Sequence, residues 1–161
     1  LPIALLYQSK NTLGMDRICN AVFADNIKRT EFAVIIDIGT CIKFDVINNN
    51  HEYLGGSISP GIELRYRSLH DYTGNLPLLS NKSAVGLVGN DTESSIHSGV
   101  INGMTAEIQH LMTIYEAQYK DLTFFVTGGD AGFFDIHSKN DIFADENLTV
   151  KGLFEIYKYN A

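Results

Sequence analysis

Three short apolar segments in immediate succession, Glu31 to Asp37, Thr40 to Ile47 and Tyr53 to Ile58, leave this chain few ways to fold. The first is a β-branched run and the second alternates. Each gap is a turn signal, Gly39 in one place and Asn48-Asn49-Asn50 in the other. Runs of this length bounded by Gly and Asn read as strands joined by tight turns. The spacing predicts an antiparallel meander of three strands.

Helical periodicity surrounds the meander. From Gly14 to about Ile27 the residues Ile18, Ala21, Val22 and Ala24 recur at helical spacing, and Asp16 falls in the first turn, where the helix dipole favours an acid. After Ser59-Pro60-Gly61 a helix is expected from Ile62 to about Tyr72, then a brief strand over Ala84 to Val88. The longest periodic segment, Thr92 to about Tyr119, carries Ile96, Val100, Met104, Ile108, Leu111 and Tyr115 along one stripe. Leu122 to Thr127 reads as a strand, Gly128-Gly129 as a turn, Asp130 to about Ile136 as a short helix and Leu148 to Tyr159 as a closing helix.

This order, βββαβαβ, predicts a mixed α/β sheet with flanking helices. On spacing, residues 1–29 are expected to be the tail of a preceding domain and residues 30–161 the domain itself. The opening Leu1-Pro2-Ile3 suggests that the natural N-terminus lies upstream. Gly99 and Gly103 each cost the long helix about 1 kcal/mol relative to Ala, so a neighbouring element is expected close to that face.

The net charge is −7, with 7 basic and 8 acidic side chains in residues 1–80 against 5 and 11 in residues 81–161. Surfaces that bind duplexes cluster Lys and Arg, and no such cluster is present, so direct nucleic-acid binding is not expected. No apolar run approaches the ~20 residues of a membrane span. Cys19 and Cys41 make no disulfide framework, and the five histidines show no metal-ligand spacing. A soluble cytoplasmic protein is expected, without a membrane partner.

Three motifs carry candidate chemistry. In Gly14-x-Asp16-Arg17, a glycine lets backbone approach a ligand, Asp16 can accept a hydroxyl proton and Arg17 can clamp a carboxylate or phosphate. The alternative is a glycine loop, an acidic first turn and a surface Arg. In Asp37-x-Gly39-Thr40, an Asp at a strand end can hold a cation, while the turn's N–H groups and the Thr hydroxyl can cradle phosphate oxygens. The alternative is an ordinary hairpin. In Thr127-Gly128-Gly129-Asp130, the glycines leave room for adenine or ribose, or the segment is only a capped helix start.

The succession of motifs is more specific than any one of them. Tyr7, Leu13-Gly14-x-Asp16-Arg17, Asp37-x-Gly39-Thr40 with Asp45, Gly55-Gly56-x-Ile58-x-Pro60-Gly61, Leu76-Pro77, Asn90-x-Thr92-x-x-Ser95 with Gly99, and Thr127-Gly128-Gly129-Asp130 together resemble a type III pantothenate kinase. The resemblance implies the RNase-H-like fold of the actin-like and sugar-kinase superfamily, with ATP clasped between two such domains. It implies Asp16 as the base that activates the pantothenate hydroxyl, with Tyr7, Gly14, Met15 and Arg17 completing the pantothenate site. Asp37 would hold a monovalent cation, K+ or NH4+, and Gly39, Thr40, Gly128 and Gly129 would serve ATP with Mg2+. Thr92 would reach pantothenate from the other subunit of a homodimer.

Two departures stand out. Lys43 occupies a position where relatives usually carry a small hydroxylated residue, and it either adds positive charge near the phosphates or faces solvent. The phosphate-binding Asp-x-Gly-Asn-Thr motif of the family is absent, so this stretch alone is expected to be inactive. The competing reading is a regulatory relative of the Bvg accessory factor, a transcriptional activator; another superfamily kinase acting on a different hydroxyl is a third.

Overall fold

Hydrophobic alternation on two faces organises the sheet. The computed structural model describes residues 1–80 and 85–161. In chain order it contains β1 (Ala4–Leu5), a 3-10 turn at Lys10–Thr12, α1 (Met15–Ile27), β2 (Phe32–Ile38), β3 (Cys41–Asn48), β4 (Glu52–Pro60), α2 (Ile62–Asp71) and α3 (Thr92–Gln118). There follow β5 (Leu122–Thr127), a 3-10 turn at Ala131–Phe133, β6 (Ile142–Ala144) and α4 (Leu148–Asn160). The strands form one sheet in the order β1-β4-β3-β2-β5-β6. β2, β3 and β4 are the antiparallel meander; β5 runs parallel to β2, β6 to β5 and β1 to β4.

Alternate residues of the strands supply two cores, as the period of two requires. Val34, Ile36, Ile38, Ile42, Phe44, Phe124 and Val126 pack with Ile96, Val100, Met104 and Ile108 of α3. On the other face Ala33, Ile35, Ile47, Tyr53 and Phe125 pack with Ile18, Ala21 and Val22 of α1 and Leu148 of α4. Each fully buried side chain of this size contributes about 1.5–3 kcal/mol. Residues 1–29, expected to be the tail of a preceding domain, lie on this same sheet through β1 and α1. Among the described residues no helix is long and apolar enough to cross a membrane.

Some expectations need correction. Of the brief strand placed at 84–88, Ala84 lies outside the described residues and Val85–Val88 forms no strand. The short helix at 130–136 contracts to one 3-10 turn, because Phe134 already turns extended. No atom outside the neighbouring helix backbone comes within 4 Å of a Cβ built at Gly99 or Gly103. The close neighbour expected there is not found among the described residues.

Candidate active site

The first turn of α1 is built around a bare position. Gly14 precedes the helix, and a Cβ there would fall 2.4 Å from Asp16 Oδ1, so a side chain at 14 would displace the Asp16 carboxylate. Met15 stands exposed at the helix start. Asp16 therefore projects from the N-terminal end of α1, where free amides favour a negative charge.

The sheet face beneath α1 changes from apolar to charged along its length. Register pairs Ala33 with Ile47, Ile35 with Asp45 and Asp37 with Lys43. The apolar pair lies under the body of α1, and the charged residues lie toward the β2–β3 turn. Lys43 Nζ donates to Asp16 Oδ2 at 2.6 Å and to Asp37 Oδ2 at 2.7 Å, so one ammonium joins helix start and strand end. Burial acts to raise the Asp16 pKa, but the hydrogen bond and charge of Lys43 outweigh it and hold the carboxyl below its ordinary value. Burial likewise acts to lower that of Lys43, and the two carboxylates reverse it, raising the ammonium above its ordinary value. Lys43 thus takes up both carboxylates instead of facing solvent.

Arg17 is committed to Asp45. Its Nε lies 3.0 and 3.2 Å from the two carboxylate oxygens and its Nη2 lies 2.6 Å from Oδ1, with both residues buried. The Tyr53 hydroxyl donates to Asp45 Oδ1 at 2.5 Å, and the guanidinium lies over the rings of Tyr7 and Tyr53 at 5.7 and 6.0 Å. Burial and the adjacent Asp45 push the Tyr53 phenol up. A buried guanidinium needs a carboxylate partner, so the clamp expected to meet substrate is closed on Asp45.

The glycine turns reach the same edge of the sheet. β5 is parallel to β2 with Thr127 opposite Asp37, so both strands end beside the charged cluster. Gly128 has φ of 100°, and a Cβ there would fall 2.3 Å from the Ile38 carbonyl oxygen. The Asp130 N–H donates to that same oxygen at 2.9 Å, folding the β5 turn over the end of β2. Gly39, Thr40, Arg67 and Asp130 line a cavity of about 360 Å³. Gly128, Gly129, Gly132 and Ala144 line one of about 410 Å³. In open α/β sheets, ligands bind beyond the carboxyl ends of strands, where both of these cavities lie.

Thr92 is set apart. It is the exposed first residue of α3 and lines a cavity of about 790 Å³ with Leu69, Leu76, Asn90 and Ser95. α3 packs on the face of the sheet opposite α1, so Thr92 and Asp16 belong to different faces of one chain.

Sequence reading left the role of Lys43 open and overlooked Arg67. The cross-strand pairing of Asp37 with Lys43 follows from the hairpin register and could have shown the first. Nothing in the spacing marks Arg67 as a neighbour of Thr40. Among the described residues no three His, Cys, Asp or Glu side chains group as a metal cage. A magnesium ion carried by nucleotide phosphates needs none, since it keeps waters and takes one or two carboxylates at most. A monovalent cation at Asp37 does not fit, because the Lys43 ammonium already occupies that carboxylate.

The sheet order and the convergence of glycine turns on one edge define a domain of the actin-like, RNase-H-like fold class. A family model described as type III pantothenate kinase matches residues 1–113. This chain belongs to the type III pantothenate kinase family. A curated type III pantothenate kinase from Christiangramia forsetii is 44% identical over 160 residues, covering 99% of this chain and 66% of that protein. The one from Phocaeicola vulgatus is 41% identical with the same coverage. Among solved structures, a protein from Campylobacter jejuni described as a Baf family transcriptional activator aligns with TM-score 0.65 and 29% identity. That alignment covers 98% of this chain and 68% of the other. Ta0583, an archaeal actin homolog, aligns with TM-score 0.52 and 14% identity over 89% of this chain and 54% of its own, a likeness of fold alone. The chain spans about 66% of the length of the first two curated relatives.

Proposed function

We propose that the protein containing this chain is a pantothenate kinase, which transfers the γ-phosphoryl group of MgATP to the hydroxyl of pantothenate and gives 4'-phosphopantothenate, the first step toward coenzyme A. The observation that carries this reading is the position of Asp16 within 2.6 Å of Lys43, which in turn joins Asp37 at the edge where the nucleotide turns converge. Asp16 accepts the hydroxyl proton as the oxygen attacks phosphorus. The lowered pKa keeps it ionised at neutral pH, and catalysis then consists mostly of positioning and charge neutralisation.

The remaining residues divide between the substrates. Met15 and Tyr7 flank the Asp16 turn on the pantothenate side, and Arg17, fixed by Asp45, orders that turn. Gly39 and Thr40 receive the phosphates with Arg67 alongside, and Gly128 with Gly129 receives the adenosine. The family's phosphate-binding segment belongs to an N-terminal RNase-H-like domain, and residues 1–29 link that domain to the sheet on which their β1 and α1 lie. The protein acts in the cytoplasm as a homodimer in which Thr92 serves the neighbouring subunit. The placement of Thr92 on the opposite face from Asp16, and the absence of a close neighbour at Gly99 and Gly103 among the described residues, support that arrangement.

The test is production of 4'-phosphopantothenate by the intact protein from pantothenate, ATP, magnesium and potassium. No product with pantothenate, together with turnover of another alcohol, would move the assignment to a different kinase. The likeness to the Campylobacter jejuni protein keeps a regulatory reading in view, and its net charge of −7 leaves this chain poorly suited to direct DNA contact. Binding of a promoter duplex without phosphorylation of any alcohol would favour that second reading.

A further inference from the structure

We propose that the Lys43 ammonium takes the place of the monovalent cation in this protein, so that pantothenate phosphorylation proceeds without added potassium or ammonium. The inference rests on the kinase reading above and concerns how that site is neutralised. It starts from a disagreement between the residues present and the group the family implies. Asp37, the carboxylate that would hold the cation, accepts from Lys43 Nζ at 2.7 Å, and the same nitrogen reaches Asp16 at 2.6 Å.

The chemistry of the replacement is close. A lysine head group is a tethered ammonium, with the single positive charge of NH4+ and three donors, two of which are used here. Its position is set by the sheet, since Lys43 stands directly across from Asp37 in the β2–β3 register. Its stem is mostly buried, with the side chain 17% exposed. A tethered cation is present at high effective concentration whatever the salt around it. A second cation at Asp37 would sit against the ammonium and be repelled by it, while a small hydroxylated side chain at 43 would leave the carboxylate open.

The arrangement also settles the charge of the site. Two carboxylates, Asp16 and Asp37, meet on one ammonium close to the turns proposed to receive the phosphates of a nucleotide. Lys43 offsets one of the two negative charges and shields the base from the other. Its third N–H has no acceptor among the described residues and can donate to an incoming oxygen.

The experiment compares the intact wild-type protein with Lys43→Thr, both exchanged into tetramethylammonium buffers. Phosphopantothenate formation is measured with and without KCl, and crystals soaked in RbCl are examined for anomalous scattering at Asp37. The wild type is expected to change by less than about twofold on adding KCl and to bind no rubidium at Asp37. Lys43→Thr is expected to fall at least about tenfold without KCl, to recover with it and to show a rubidium peak. Activation of the wild type by about tenfold, rubidium at its Asp37, or no rubidium in Lys43→Thr overturns the proposal. If neither protein makes product in any salt, the kinase reading fails instead, and the rubidium maps still decide whether Lys43 excludes the cation.

Discussion

Arg17 and Asp45 form a buried two-pronged ion pair that fastens the first turn of α1 to the middle of the sheet. The Tyr53 hydroxyl donates to Oδ1 of the same carboxylate, so the three groups make one unit in which Arg17 and Tyr53 lie 28 and 8 residues from Asp45 in sequence. Removing one partner leaves a buried charge with no counterpart. Asp45→Ala is expected to destabilise the protein by about 3–5 kcal/mol, read from urea unfolding midpoints. An Arg17→Met, Asp45→Leu double variant should lose less than Asp45→Ala alone, because no orphan charge remains. A loss under about 1 kcal/mol in Asp45→Ala would mean that water reaches Arg17.

Asp16→Asn separates chemistry from folding. Its side chain is 44% exposed, and Lys43 keeps Asp37 as a partner when the charge at 16 is removed. The unfolding midpoint should therefore move little, while turnover of pantothenate by the intact protein falls by about 10²–10⁴-fold. Wild-type turnover in Asp16→Asn would show that the hydroxyl proton leaves by another route.

The same contact sets a pH window. The Asp16 pKa lies below its ordinary 3.8, the pull of Lys43 exceeding the cost of burial, so its stabilising contribution is fully present above pH 3.8 and fades as pH falls through the lowered value. The Lys43 pKa lies above 10.5, the two carboxylates exceeding the cost of burial, so its contribution is fully present below pH 10.5 and fades as pH rises through the raised value. The difference in melting temperature between wild type and Lys43→Met should be flat between those limits and shrink beyond either one. A difference that varies across neutral pH would contradict the pairing.

The meander was legible because β-branched runs broken by Gly39 and an Asn cluster admit little else, and α3 because its stripe runs through Ile96, Val100, Met104 and Ile108. β1 and β6, with two and three residues, are too short to carry a period and exist only because a longer strand offers them an edge. Asp16 and Asp37 could be chosen from local motifs, since each sits at the end of an element whose start or stop is marked by glycine. Arg17 could not be placed in the same way, and of the two partners of Lys43 only Asp37 follows from the hairpin register. Which partner a long cationic side chain takes depends on how α1 lies across the sheet, and that is a property of packing.

Gly128 joins the fold to the proposed nucleotide site. With φ of 100° and the Ile38 carbonyl 2.3 Å from any added Cβ, alanine there is both strained and obstructed. Gly128→Ala should destabilise by more than about 1 kcal/mol and weaken nucleotide binding, measured by denaturation and by calorimetric titration with ADP. Unchanged affinity for ADP would place the adenosine away from this turn.

The separation of Thr92 from Asp16 allows the proposed dimer to be tested by mixing. α1 and α3 lie on opposite faces of the sheet, so in one chain the Asp16 carboxylate and the exposed hydroxyl at the start of α3 belong to different faces. Asp16→Asn and Thr92→Val each damage every site of their own homodimer if Thr92 crosses to the neighbour. In a dimer containing one chain of each kind, one site receives both lesions and the other receives none. Mixing equal amounts under conditions that exchange subunits should then restore about a quarter of the wild-type rate, since half of the dimers are mixed and half of their sites are intact. If Thr92 acts within its own chain, every site in the mixture retains a lesion and the rate stays at the level of the separate variants. Sedimentation shows that dimers are present, and a mass tag on one variant, giving a dimer of intermediate mass in a native mass spectrum, shows that subunits have exchanged, so a failure of complementation counts against the crossing and not against assembly.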